Sequence, residues 1–169
     1  MRSRMVVLAL AAVFGAALGC TVKGSGKGST PGWKIYVDQH PVSTAPFTLR
    51  SGTVEVRVQA VVVEEHHTKF GKSTWLNVVK AVVVNRGAGP LLPEAVTGGF
   101  RIRTRSGADL HGYVFIQGTD GWRQEHSKET PQLSPGAMGE IRVQAEAGGG
   151  ATRDDPVAVS FQGQTFQLR

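Results

Sequence analysis

From residue 33 onward apolar and polar positions alternate with a period of two, the spacing of a strand with one buried face. Within Thr53–Val63, Val54, Val56, Val58, Ala60 and Val62 fall on one face, and Glu55, Arg57 and Gln59 on the other. Trp75 to Val84 is apolar on both faces for most of its length, which predicts a central strand, and the turn chemistry of Asn85-Arg-Gly-Ala-Gly-Pro90 ends it. Phe100, Ile102 and Thr104 alternate with Arg101, Arg103 and Arg105. Further strands are predicted over Trp33–Val37, Asp109–Gln117 and Ile141–Ala145, with one or two more in Val157–Leu168. Trp33 and Trp75 are assigned to the core. Glycine and proline clusters punctuate at Gly98-Gly99, Gly118-Thr-Asp-Gly121, Ser134-Pro-Gly136 and Gly148-Gly-Gly150. No segment sustains a period of 3.6, and Leu91–Val96 holds one helical turn at most. About seven short strands with frequent turns predict an all-β, immunoglobulin-like antiparallel β-sandwich over residues 33–169.

The residues before this domain have a different character. Arg2 and Arg4 precede an apolar run, Met5 to Phe14, followed by Gly15-Ala-Ala-Leu-Gly19 and the chain's one cysteine, Cys20. A positive start, a short apolar stretch and small residues before a cut site describe a secretory signal peptide over residues 1–19. The run falls short of the roughly 20 apolar residues that a membrane span needs. Ala17-Leu18-Gly19-Cys20 resembles the lipobox of bacterial lipoproteins, with Ala17 and Leu18 in inverted order. The resemblance implies that Cys20 is acylated and becomes the mature N-terminus, lipid-anchoring the exported chain in the cell envelope. Thr21, in place of Asp, implies the outer membrane in a didermic host. The alternative is cleavage near Ala16-Ala17, which leaves Cys20 as an odd free thiol. One acyl chain binds a membrane only marginally, and a diacyl or triacyl cysteine meets the two-chain requirement for stable anchoring. Residues 20–32 then form a Gly/Ser/Lys tether, a flexible coil with a reach of about 20 Å.

Removing residues 1–19 from 169 leaves 150, enough for one domain. Arg2 and Arg4 leave with the leader, so the formal net charge falls from +6 to +4. That mild surplus suits anionic envelope surfaces and lacks the clustered charge of a nucleic-acid binder. With Cys20 acylated, the folded part has no cysteine and no disulfide, and its core alone must hold it.

Three stretches carry a second resemblance. They are Val82-Val-Val-Asn-Arg-Gly87, Phe100-Arg-Ile-Arg-Thr-Arg-Ser-Gly107, and Leu133-Ser-Pro-Gly136 leading into Gly139-Glu-Ile-Arg-Val143. Together they resemble the DUF4352-like immunoglobulin-like domains of bacterial surface lipoproteins, across about Thr53–Leu168. The resemblance implies the fold and brings no active site with it.

Candidate chemistry is sparse. His66 and His67, in Glu64-Glu-His-His-Thr-Lys-Phe-Gly-Lys72, read as a polar hairpin tip whose charges discourage edge pairing. The alternative is Zn²⁺ or Cu²⁺ ligation, which needs both histidines in a turn, because neighbours in a strand point to opposite faces. His40, His111 and His126 are scattered, with no metal-site spacing. Gly71-Lys-Ser-Thr74 looks like the end of a phosphate loop, but His66 stands where the first glycine belongs and a strand follows in place of a helix. Arg101, Arg103 and Arg105 form an outward ladder, with Arg86, Arg123 and Lys128 as neighbours. It reads either as a solvated face or as a patch for an anionic glycan. Trp122 and Arg123, after the Asp120-Gly121 turn signal, are a candidate partner anchor at a loop tip. No Gly-x-Ser-x-Gly elbow occurs, and the paired carboxylates are confined to Glu64-Glu65 and Asp154-Asp155. The chain is therefore expected to be a non-catalytic envelope binding or scaffolding lipoprotein that needs no cofactor. Docking on an envelope protein by strand addition is the alternative, with metal or polyanion binding as a further one.

Overall fold

A computed structural model describes residues 35–68, 71, 73–91, 94–118, 121–124 and 132–169. The leader, Cys20, the tether, Trp33, His126 and Lys128 lie outside them. The expected antiparallel β-sandwich is present, with eleven strands among the described residues where about seven were expected. One sheet holds β1 (Ile35–Ser43), β2 (Phe47–Ser51), β3 (Val54–Thr68), β4 (Ser73–Asn85), β7 (Tyr113–Gly118), β8 (Gly121–Gln124) and β9 (Met138–Ala145). Its order is β1-β3-β4-β9-β7-β8, with β2 also paired to β3. The other sheet is β11-β10-β5-β6, built from β5 (Phe100–Thr104), β6 (Asp109–His111), β10 (Pro156–Phe161) and β11 (Gln164–Gln167). A single helical turn, α1 (Glu94–Thr97), falls at the end of the stretch where one was expected.

The core lies between the inner faces. Leu49, Val56, Val61, Val79, Val83 and Val143 from the first sheet meet Phe100, Ile102, Val159 and Phe161 from the second, and each is almost completely buried. β4 is central, as its two-sided apolar pattern requires, lying between β3 and β9. β1 and β2 succeed one another along the same edge of β3, against Val61–Thr68 and Val54–Val58 respectively. At that edge Phe47 stacks on Phe166 of β11, with centroids 3.9 Å apart, and joins the two sheets.

Three departures from the sequence pattern have local causes. First, β3 pairs with β4 through a one-residue bulge between Val58 and Ala60. An extra residue in one strand shifts its side-chain phase. Val61 and Val63 therefore take the core side, opposite Val79 and Asn77, and Val62 turns outward with Ala60 into a small cluster with Leu76 and Val78. Second, the strand expected over Asp109–Gln117 is two strands in different sheets, because the chain crosses between them at Gly112. A Cβ on Gly112 would sit 2.4 Å from Val143 Cγ1 and 3.2 Å from Phe100 Cβ, so only glycine passes there. Third, Trp75 is half-buried and lies outside the core, beside His40 and beneath the Arg153 guanidinium.

Two of the resemblance motifs meet at one residue. The buried Asn85 side chain donates to Gly89 O at 2.8 Å and Leu133 O at 2.9 Å, and accepts from Gly87 N at 2.9 Å. Its backbone donates to Ala137 O and accepts from Gly136 N. The Asn-x-Gly loop and the Leu-x-Pro-Gly turn thus form one clamp, in which every side-chain polar group of a buried asparagine is satisfied.

Candidate functional site

Beyond the bulge, β1, β3 and β4 carry polar side chains on both faces. β3 runs through His66 and His67 as a strand, so the two rings point to opposite faces and serve separate clusters. This rules out the shared ion that both histidines in a turn would have allowed. Gly71 lies in the β3–β4 connection with φ +82°, and the strand β4 follows it, not the helix a phosphate loop requires.

On the outer face Glu64 is 1% exposed. It accepts from Gln39 Nε2 at 2.9 Å, pairs with His66 Nε2 at 2.9 Å and accepts from Arg142 Nη2. Lys80 Nζ donates to Gln39 Oε1 at 3.0 Å and extends the network. Burial pushes the Glu64 carboxyl up, but the bonds from His66 and Arg142 outweigh it and hold the pKa at about 2.

On the core side, Asp38 of β1 faces Glu65 of β3 in register, with Tyr36 opposite His67 and His40 opposite Val63. His67 Nδ1 lies 3.7 Å from Asp38 Oδ2, and His40 Nε2 lies 3.8 Å from Glu65 Oε2. Ser73 Oγ donates to Glu65 Oε1 at 2.5 Å. Tyr36 stacks on His67, with centroids 5.6 Å apart and planes 18° from parallel. The scatter of His40 in sequence is therefore undone by the fold. Asp38 and His40 were missed as site residues because they lie more than 20 residues from their partners. The available signal was the paired acid-x-His motif, Asp38-x-His40 and Glu65-x-His67.

A third cluster surrounds Glu55, itself 4% exposed, at the other end of the outer face. Arg57 Nε lies 2.6 Å from its carboxylate, Arg50 Nη2 3.1 Å and Arg86 Nη2 3.2 Å. Hydrogen bonds from Arg86 and then Arg57 hold the Glu55 pKa at about 2. Arg86, expected beside the arginine ladder, is instead committed here.

Of the expected ladder, Arg101 and Arg103 are exposed positions of β5, and Arg105 is exposed in the turn that follows the strand. Arg101 bonds to His111 Nδ1 and, at 3.0 Å, to Phe100 O. Arg105 lies near Asp154, whose carboxyl is held low chiefly by a hydrogen bond from Ser106. Trp122 and Arg123 are not at a loop tip. Their backbone is in β8, paired with Gln117 and Ile116 of β7 in the first sheet, so Arg123 does not extend the ladder either.

The fold and these clusters define an antiparallel β-sandwich with ionised networks on its sheet faces. It is similar to an uncharacterised β-sandwich protein from Clostridium difficile 630, with a TM-score of 0.50 and 10% identity over 70% of this chain and 86% of that one. That likeness concerns fold alone. No family model and no curated protein matches the chain.

Proposed function

We propose that this chain is an envelope lipoprotein, anchored through acylated Cys20, whose β-sandwich has a non-catalytic binding or scaffolding role of the DUF4352-like kind. The observation that carries the non-catalytic part is where the strongly displaced carboxylates are. Perturbed pKa values gather at active sites, yet Glu55 and Glu64 each lie in an ion-pair network that joins strands of one sheet. Among the described residues neither is bonded to a hydroxyl or thiol nucleophile. The anchor rests on the leader and on Ala17-Leu18-Gly19-Cys20. No helix of the described residues is long and apolar enough to cross a membrane.

A second reading, docking on an envelope protein by strand addition, is supported by β1. This edge strand pairs with β3 alone and exposes Ile35, Tyr36 and Val37. The exposed arginine ladder supports a third, contact with anionic glycan.

Fractionation tests the anchored reading. The wild type is expected with membranes, released by detergent and not by high salt, and Cys20→Ser is expected in the soluble exported fraction. Membrane retention of Cys20→Ser would overturn it. Crosslinking through β1 in native membranes then separates a protein partner from a glycan one.

A further inference from the structure

We propose that Asp38, Glu65 and His67 form a binding site for one divalent first-row transition-metal ion, with Zn²⁺ as the probe. The site does not depend on how the chain is anchored. One ligand atom from each residue lies within 4.8 Å of the other two. The antiparallel register produces this grouping: Asp38 and Glu65 are directly opposed, and His67 is the next residue on the same face of β3.

The separations suit an ion better than direct pairing. Asp38 Oδ2 and His67 Nδ1 are 3.7 Å apart, too far for a hydrogen bond. Two ligands bound to a tetrahedral Zn²⁺ at about 2.0–2.1 Å stand about 3.3 Å apart, so Asp38 and His67 close only slightly on the ion, and the three ligand atoms, all within 4.8 Å of one another, draw in around it. His67 Nδ1 is shielded from solvent and has no hydrogen-bond partner, an orphan that a metal would satisfy. The surrounding groups aim the ligands. Ser73 donates to Glu65 Oε1, Oε2 faces His40 Nε2 at 3.8 Å, beyond hydrogen-bond distance, and Tyr36 stacked on His67 fixes the ring plane. Arg153, which leans over the neighbouring Trp75, is already engaged by Asp155 at 2.6 and 3.2 Å.

One imidazole with two carboxylates selects a borderline metal over Mg²⁺, which prefers oxygen ligands throughout. Three protein ligands leave a coordination position open for water. Because Asp38 is on the edge strand and the other two ligands are on β3, the bound ion would staple the exposed start of β1 to the sheet.

The test is calorimetric titration of the untagged full chain in detergent, stripped with chelator, with Zn²⁺. One ion per chain is expected, with a rise in melting temperature as a ligand bound only to the folded state requires. Asp38→Asn and His67→Ala should each weaken binding by about tenfold or more, while melting like the wild type in chelator. His66→Ala, on the opposite face, should leave it unchanged, and Mg²⁺ should not compete. No uptake by the wild type, unchanged binding in Asp38→Asn and His67→Ala, an equal loss in His66→Ala, or competition by Mg²⁺ would each overturn the proposal.

Discussion

Replacing Glu64 with glutamine is expected to destabilise the domain by about 3 kcal/mol at neutral pH, the scale for removing one partner of a buried ion pair. The substitution keeps the shape and removes the charge, which leaves Arg142, mostly buried at 17% side-chain exposure, without its counter-ion. The pH dependence identifies the cause. The folded carboxyl has a pKa of about 2 against an ordinary 4.5, a depressed value. Its stabilisation is therefore fully present above about 4.5 and disappears as pH falls toward 2. Urea unfolding of the wild type and Glu64→Gln should accordingly show a gap that is present above pH 4.5 and closes between pH 4.5 and 2. Glu55 titrates over the same window in both proteins and cancels from the difference. A gap that persists at pH 2 would mean that packing, not charge, sets the cost.

Phe100→Ala is expected to cost about 4 kcal/mol, within the range for emptying a buried aromatic position. Phe100 is fully buried and packs against Phe161, with centroids 4.8 Å apart and planes at 41°. Its carbonyl accepts from Gly112 N at 3.3 Å, where the chain crosses between sheets, so collapse into the vacated space is opposed by backbone on that side. For a chain of this length the melting temperature should fall by about 10 °C. Phe166→Ala, at a residue 37% exposed, should cost clearly less. A thermal melt of the three proteins checks the order, and equal losses would remove the special place given to Phe100.

The two sheets were legible where local pattern and tertiary demand agree. β4 is apolar on both faces because it is central, and β5 alternates because one of its faces is solvated. The opposed faces of His66 and His67 also follow from strand geometry alone. What the pattern could not carry was non-local. The bulge at Gln59 depends on pairing with β4, and from the sequence the alternation simply continues through Ala60 and Val62. Gly112 is an ordinary glycine until Val143 and Phe100 are placed against it. β2 is five residues long, too short for periodicity to speak, and the turn-like Asp120-Gly121 hid the strand pairing of Trp122. The acid–histidine cluster needed the β1–β3 register, which brings Asp38 to Glu65 across 26 intervening residues.

Intact mass analysis of the N-terminal peptide from membrane-extracted protein bears most directly on the proposed lipoprotein. The expected peptide begins at Cys20 and carries at least a diacylglyceryl mass. A mature N-terminus elsewhere, with Cys20 present as an unmodified thiol, would contradict the anchor and leave an exported β-sandwich free of the membrane.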